Sequence, residues 1–234
     1  MSGSKDRTIK VWNLATGELL RTLEGHSYMV TSVAISKDGQ TLVSGSQDDT
    51  IKVWNLETGE LLRTLEINTR DIIGDIGHVT INHVIISSDK NTIVSSITIG
   101  GISVIKAWDF KNGESLFTIK ENGSVNGMIQ NGKYIFYQSV DAGNFTFKVL
   151  NVKTKKLVKV YSLKELNRSH SFAISPDRNH VIIRDKDNMI KVWNLKTEKL
   201  VHTLKGQGEF IDIALSSDWT LDKKDFVSVK YTLN

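Results

Sequence analysis

The sequence predicts an all-β fold built from repeated four-stranded antiparallel units. Residues 44–66 read SGSQDDTIKVWNLETGELLRTLE, and residues 2–24 differ from them at only three positions. Strand-like alternation follows in every copy, while helical periodicity is found nowhere. Further copies are found by aligning the chain on the tryptophan, with one leucine in its place: Trp12, Trp54, Trp108, Leu150 and Trp193.

The tryptophan segment has the character of a strand that is covered on both faces. In TIKVWNL, residues 50–56, Ile51 and Val53 point to one face while Trp54 and Leu56 point to the other. The following ETGE predicts a short hairpin turn with a bulge, because Gly59 tolerates a left-handed backbone. ELLRTLE is then the returning strand.

Two more strands precede the tryptophan segment, so each unit has four, in the order inner, second, third and outer. VTSVAIS and TLVSGS flank a turn at Lys37-Asp38-Gly39. Four-stranded units of about 40 residues, repeated radially, are the blades of a β-propeller.

At this point the chain resembles the WD-repeat family. The resemblance rests on Gly25-His26, on the turn at Lys37-Asp38-Gly39 and on SGSQDDTIKVWN, in which Asn55 replaces the family's usual aspartate. It covers nearly the whole chain and is strong at residues 2–66 and 187–204. Between these stretches the repeats are degenerate.

We expect one domain, residues 1–234, with five blades. The termini resemble half-blades, so a closing blade is predicted from about residues 1–24 plus 208–234, with a monomer as the expected state. Closure of this kind removes exposed sheet edges. The other reading is an open array, completed by more sequence or by another chain.

The third blade contains two insertions. Trp54 and Trp108 are separated by twelve more residues than Trp12 and Trp54. Nine fall within EINTRDIIGDIG, before the inner strand, and three fall around residues 97–101, between the second and third strands. In an antiparallel blade both connections emerge at the same end.

Four side chains match a hydrogen-bonded structural tetrad of the family: His26, Ser44, Asp48 and Trp54. Their types imitate a nucleophile, a base and an orienting acid. Catalysis requires an exposed serine oxygen beside an oxyanion site, however, and Ser44 is predicted in a covered strand. We therefore expect a structural role and no catalytic residues.

Composition argues against several classes of partner and site. The formal net charge of +4 is modest and spread along the chain, and no cysteine is present. Nucleic acid is not the expected partner, and no apolar run is long enough for a membrane helix. An intracellular, cytoplasmic location is expected, with no cofactor and no metal site.

The resemblance implies a non-enzymatic scaffold that binds a protein or peptide segment at the end bearing both insertions. Family positions that commonly touch partners correspond here to seven residues: Lys5, Met29, Gln47, Thr80, Arg168, Lys186 and Phe210. Two apolar side chains and three cations suit a partner with one hydrophobic anchor flanked by acidic or phosphorylated residues.

Two alternatives remain open from the sequence. Five-bladed propellers outside this family include glycan-binding proteins and glycosidases, which need aromatic pockets or paired carboxylates. The chain is also compatible with the terminal part of a larger signalling protein whose activity lies in other domains.

Overall fold

A computed structural model describes most of the repeat region. The described residues are 1–74, 79–87, 89–131, 134–141, 144–152, 154–162, 172–175, 179–184, 189–194, 196–197, 199–205, 212–214 and 227–229.

The chain folds into successive antiparallel sheets, and neighbouring strands within each sheet follow chain order. The first sheet contains β1 (Ser2–Gly3), β2 (Ile9–Trp12) and β3 (Leu19–Leu23). Four sheets of four strands follow: β4 (Val30–Ile35), β5 (Thr41–Ser46), β6 (Thr50–Asn55) and β7 (Leu61–Glu66); β8 (Val79–Ile86), β9 (Thr92–Ile99), β10 (Ile102–Asp109) and β11 (Ser115–Glu121); β12 (Ser124–Asn131), β13 (Tyr134–Asp141), β14 (Asn144–Asn151) and β15 (Lys156–Ser162); β16 (Phe172–Ile174), β17 (His180–Arg184), β18 (Met189–Asn194) and β19 (Lys199–Lys205). We call these five sheets the first to fifth blades.

This architecture confirms the all-β fold class and its four-stranded antiparallel blades. The tryptophan lies on the third strand, as predicted, and pairing with the outer strand shifts register at Val53/Trp54. The same shift recurs at Val11/Trp12 and Val192/Trp193. The repeat in the sequence is therefore a repeat of strand register.

A one-turn helix, α1 (Arg70–Ile73), interrupts the strands in the insertion before β8. The sequence predicted no helix, because one turn is too short to show helical periodicity. Gly74 ends the helix with a left-handed backbone at φ 79°, and its N–H donates to the Arg70 carbonyl at 3.0 Å. Ile72 on this turn is buried in the hydrophobic core.

The third strand of the second blade buries both of its faces, as its pattern indicated. Ile51 and Val53 pack in a cluster with side chains of the third blade, including Ile81. Trp54 packs on the opposite side with Ile9 and neighbouring apolar residues of the first blade. The second blade thus contributes apolar side chains to two clusters, one shared with the third blade and one shared with the first.

Gly45 brings neighbouring blades close together. A Cβ atom at this position would lie 2.4 Å from Ile81 Cγ2 of the third blade, so no larger side chain fits without a shift. Close packing of this kind costs free energy when volume is added.

The asparagine that replaces the family's aspartate after the tryptophan performs the same task. Asn55 Oδ1 accepts hydrogen bonds from the N–H groups of Glu57 at 2.8 Å and Thr58 at 3.0 Å. Asp109 makes the equivalent bonds in the third blade. Either residue type caps this turn, because only one acceptor oxygen is used.

The last described strands, β20 (Asp212–Ala214) and β21 (Val227–Val229), pair with each other as the inner and second strands of a blade would. Among the described residues they form a sheet separate from that of β1–β3. Much of the predicted closing segment lies outside the described residues. The single domain with a closing blade at residues 1–24 plus 208–234 therefore stays a prediction.

Arginines on the outer strands tie the first blade to the second and the second blade to the third. The Arg63 guanidinium donates to the carbonyl oxygens of Phe110 at 2.7 Å and Lys111 at 2.5 Å, in the turn of the third blade. Arg21 makes the same fork to Thr58 at 2.7 Å and Glu57 at 2.6 Å in the second blade. A planar guanidinium suits such two-point contacts better than an ammonium group does.

We expect Arg63→Ala to lower the free energy of unfolding by about 1 to 3 kcal/mol, since two charge-assisted hydrogen bonds between blades are lost. Arg63→Lys should recover less than half of this loss, because one ammonium cannot reproduce the fork. Chemical denaturation measures both values. Glu66→Ala, at an exposed position on the same strand, is the control; equal losses in Arg63→Ala and Glu66→Ala would contradict the fork.

Candidate functional site

The four predicted tetrad side chains come from separate elements of the second blade and its approach. His26 lies between β3 and β4, Ser44 on β5, Asp48 in the β5–β6 turn and Trp54 on β6. Trp54 Nε1 lies 2.8 Å from Ser44 Oγ, which lies 2.7 Å from His26 Nε2. His26 Nδ1 lies 2.8 Å from Asp48 Oδ2.

The chemistry of these groups assigns a donor and an acceptor to each hydrogen bond. The carboxylate accepts from His26 Nδ1–H, so in the neutral ring Nε2 accepts the Ser44 hydroxyl proton, and the Ser44 oxygen accepts from the indole N–H. Each of these polar side-chain atoms thereby has a hydrogen-bond partner. The Ser44 hydroxyl donates to His26 and accepts from Trp54, so both of its hydrogen-bonding functions are in use.

Solvent is excluded from this network. Ser44 is completely buried, and the His26 and Asp48 side chains are 1% and 5% exposed. A serine nucleophile needs room for a substrate carbonyl beside its oxygen. The geometry favours the structural role for these four residues.

Asp48 also anchors its own turn. Its carboxylate accepts from the Ser27 N–H at 2.9 Å and from the Thr50 hydroxyl at 2.6 Å. Burial raises the pKa of Asp48, but the hydrogen bonds from His26, Thr50 and Ser27, and the charge interaction with His26, outweigh it. The pKa of this carboxyl lies well below its ordinary value of 3.8.

The other blades retain only parts of the tetrad. In the third blade, Ser95 pairs across the strands with Lys106, as Ser44 does with Lys52, but Ile102 begins the third strand in place of an aspartate. In the fifth blade Ile183 occupies the serine position. Trp193 Nε1 is accordingly buried without a hydrogen-bond partner in the part of the chain that is described.

A different polar network stands in the fourth blade, and sequence reasoning missed it. Tyr137 occupies the register position of Ser44, and its hydroxyl donates to the buried Glu121 carboxylate at 2.6 Å. Ser139 Oγ lies 3.3 Å from the same carboxylate, and Lys148 forms an ion pair with it. Burial, followed by the hydrogen bond and charge of Glu121, raises the pKa of Tyr137.

Alignment by strand register, rather than by motif, would have revealed this replacement. Lys148 matches Lys52 on the third strand, whereas the motif residues around it have changed. No three His, Cys, Asp or Glu side chains of the described residues are grouped as metal ligands.

Four of the seven predicted partner-binding residues lie in the described part of the chain, and these four lie at the same end of the blades. Gln47 N–H donates to the Met29 carbonyl at 3.0 Å, and Val30 N–H donates to the carbonyl of Ser4, next to Lys5, at 3.1 Å. The Thr31 hydroxyl donates to the Ile81 carbonyl, which brings Thr80 at the start of β8 beside them. Arg168, Lys186 and Phe210 lie outside the described residues.

We call the end of the blades that carries Lys5, Met29, Gln47 and Thr80 the upper face. Lys5 is exposed there, while the other three are half-buried. Both insertions of the third blade belong to this end: α1 lies before β8, and β9 and β10 extend to a turn at Gly100-Gly101 with φ values of 54° and 84°. The predicted position of the second insertion is confirmed.

Three further exposed side chains accompany these residues, and the sequence analysis did not single them out. Tyr28 is 62% exposed next to Met29, and Ile102 is 42% exposed at the tip of the extended hairpin. Arg70 is exposed on α1. Their only signal in the sequence was their place in the loops of this end.

Comparison with known proteins places the repeat in a family. A family model described as "WD domain, G-beta repeat" matches residues 17–55, which run from the β2–β3 turn through the tetrad to Asn55. Residues 17–55 are a WD repeat. This match confirms the predicted resemblance, and it ends where the tetrad of the second blade ends.

Similar proteins carry several names. The chain is 49% identical over 43 residues to a "Lissencephaly-1 homolog" of Caenorhabditis briggsae, covering 18% of this chain and 11% of that protein. It is 50% identical over 44 residues to "Small ribosomal subunit protein RACK1y" of Oryza sativa subsp. japonica, covering 19% and 13%. It is 22% identical over 222 residues to "Autophagy-related protein 16" of Arabidopsis thaliana, covering 94% and 40%.

The chain thus spans less than half the length of these curated relatives. The short, high-identity matches and the long, low-identity match agree with a strong WD repeat followed by degenerate ones. Within the stretches that the structure describes, none of the helices is long and apolar enough to cross a bilayer.

We expect Trp54→Ala to destabilise the protein more than Ser44→Ala. Removing a large buried aromatic side chain costs about 3 to 5 kcal/mol. Removing one hydroxyl from a buried hydrogen-bonded chain costs about 1 to 3 kcal/mol. Denaturant titrations of the two variants give the comparison, and a Ser44→Ala loss as large as that of Trp54→Ala would contradict the assigned packing.

We expect the Asp48 network to make stability dependent on acid pH. The pKa of Asp48 is lower in the folded than in the unfolded chain, so its contribution is complete above the unfolded value and is lost as pH falls toward the folded one. Unfolding free energies measured from about pH 6 down to about pH 3 should therefore fall less steeply in Asp48→Asn than in the wild type. Asp109→Asn is the matched control, because asparagine already fills that turn position in the other four blades; equal slopes for Asp48→Asn and the wild type would contradict the assignment.

Proposed function

We propose that this protein is a non-enzymatic interaction module, a scaffold that binds a protein or peptide segment on its upper face. The WD repeat at residues 17–55 and the similar proteins support a protein-binding role. We choose the upper face because the inserted loops of the third blade lie there. Both insertions of the third blade belong to the end of the sheets that also carries the turn with Gln47 and Asp48.

The chemistry of the upper face supports one hydrophobic anchor and charge complementarity. Tyr28, Met29 and Ile102 supply apolar and aromatic surface. Lys5 and Arg70 supply exposed cations at the same end. Interfaces that combine such an apolar centre with a charged rim bind through the centre and select partners through the rim. A segment with one large apolar residue between acidic or phosphorylated residues fits this arrangement.

The tetrad contains the residue types of a hydrolase triad, but its burial favours a non-enzymatic role. Ser44, His26 and Asp48 have the right residue types, but the Ser44 oxygen is held between the imidazole and an indole and is closed to solvent. A cytoplasmic location stays a prediction, and its main support is the absence of cysteine.

The test is a peptide array of acidic and phosphorylated sequences, each with one central leucine or phenylalanine, with a glycan array in parallel. The wild type should bind a subset of the peptides. The double variants Tyr28→Ser with Met29→Ser and Lys5→Glu with Arg70→Glu should bind the same peptides about tenfold more weakly, with unchanged melting temperatures. The loss in the charge variant should be larger at low ionic strength, because salt screens exposed charges.

Matched control variants carry the same changes elsewhere. Leu62→Ser alters an exposed apolar residue on an outer strand, and Lys37→Glu alters an exposed cation at the opposite end of the blade. Both should bind as the wild type does. Undiminished binding by both upper-face variants would move the site elsewhere, and glycan binding without peptide binding would favour the glycan-binding alternative.

A further inference from the structure

The outer strand of each blade begins beside one position whose charge reverses along the chain. Register defines this position, because the residue that follows it pairs with the tryptophan of the third strand, or with Leu150 in the fourth blade. The position holds a glutamate in the first three blades and a lysine in the last two: Glu18, Glu60, Glu114, Lys156 and Lys199. All five side chains are exposed.

A pair of apolar residues follows this position in four of the five blades. The pairs are Leu19-Leu20, Leu61-Leu62, Leu157-Val158 and Leu200-Val201. Seven of these eight side chains are 38% to 60% exposed. The third blade interrupts the series with Ser115. Scattered apolar residues are ordinary on a protein surface, but exposed pairs that recur beside a charge at one register position give neighbouring blades the same surface chemistry.

We call the outer strands of the first two blades, with the turns that lead into them, the acidic rim, and those of the last two blades the basic rim. The acidic rim displays three further exposed carboxylates, on Glu24, Glu57 and Glu66. The basic rim displays two further exposed ammonium groups, on Lys155 and Lys196. In the part of the chain that the structure describes, none of the charged side chains named for the two rims forms an ion pair.

Each outer strand is also an edge of its sheet. It pairs with the third strand of its own blade on one side, and no other described strand pairs with its second side. The backbone groups of such an edge are a template for another chain. Charged side chains beside the edge repel an edge of like charge, but they attract one of opposite charge.

The two rims are complementary to each other, and this complementarity identifies the occupant. The third blade separates the rims within one chain, so the contact that their charges favour is one between two copies. Contacts between two acidic rims or two basic rims are opposed by repulsion. A second copy supplies apolar pairs as well as the opposite charge.

We propose that this protein self-associates by edge-to-edge contact between the acidic rim of one copy and the basic rim of another. The apolar pairs form the centre of the contact, and the two glutamates that begin the acidic outer strands face the two lysines that begin the basic ones. Because the two surfaces differ, each copy in a pair keeps one unused rim, and assembly continues beyond a dimer.

This assembly goes beyond the monomer expected from the sequence, in which the exposure of the leucines is not visible. It is also independent of the proposed function. The reversing position lies at the turn between the third and outer strands, which is the end of an antiparallel blade opposite to the turn between the second and third strands. The upper face carries the second of these turns, so peptide binding and self-association use different surfaces.

Sedimentation velocity of the intact chain over a range of protein concentrations tests the proposal. The weight-average sedimentation coefficient should rise with concentration at low ionic strength and pass the value of a dimer. The association constant should fall at least about tenfold between low and high ionic strength, because salt screens exposed charges. A coefficient that does not change with concentration, or an association that salt does not weaken, would overturn the proposal.

Charge reversal tests whether the two rims meet. Glu18→Lys with Glu60→Lys gives both rims lysine at this position, and Lys156→Glu with Lys199→Glu gives both rims glutamate. Each double variant alone should lose at least about tenfold in association constant. An equimolar mixture of the two should associate again, and so should one chain with all four changes, which keeps the wild-type net charge because the changes cancel. Glu114→Lys, the same position in the third blade, is the matched control and should associate as the wild type does.

The apolar pairs are tested separately. Leu62→Ser with Leu157→Ser should also weaken self-association at least about tenfold, while binding of upper-face peptides stays unchanged. Melting temperatures establish that each variant is folded. A mixture of the two charge variants that stays monomeric, or an association that every variant retains, would overturn the proposal. Binding of a monomeric chain to phosphatidylserine vesicles through the basic rim would identify an anionic membrane as the occupant and would overturn it as well.

Discussion

The structure depends on one constraint, which is that every blade has two apolar faces and none is stable alone. Ile51 and Val53 are buried in a cluster that includes side chains of the third blade, and Trp54 is buried in a cluster that includes Ile9 of the first. Such sheets gain their stability from nearest-neighbour interfaces, as in other repeat proteins. Two features stabilise these interfaces. The arginine forks bind carbonyl groups of the next blade, and Gly45 leaves room for the Ile81 side chain of the third blade.

The polar networks solve a second problem, which is how to bury hydrogen-bonding groups between such sheets. In the second blade Ser44 links an indole to an imidazole, and in the fourth blade Glu121 gathers a tyrosine, a serine and a lysine. The residue types differ, but in both places the donors and acceptors are matched. The fourth blade thus replaces the sequence motif with a different hydrogen-bonded network.

The candidate binding surfaces arise where this regular construction is interrupted. The insertions of the third blade add α1 and a longer hairpin to the upper face, and the first blade exposes Trp12, whereas Trp54 and Trp108 of the next two blades are buried. A regular repeat predicts which surfaces of a blade its neighbours should cover. A departure from the repeat leaves or adds exposed surface that packing between blades does not require, so it indicates where a partner could bind.

The sequence by itself determined the strand order, the turn chemistry and the tetrad residues of the second blade, because these depend on period-two alternation and on short motifs repeated almost unchanged. It also located both insertions, since the spacing of Trp54 and Trp108 is a matter of counting. Only the tertiary structure decided that Tyr137 replaces a serine, that Trp12 is exposed, and that Met29 and Gln47 meet beside Ser4. These features depend on register and on contacts between segments far apart in the chain, and local patterns of residue type carry no record of either.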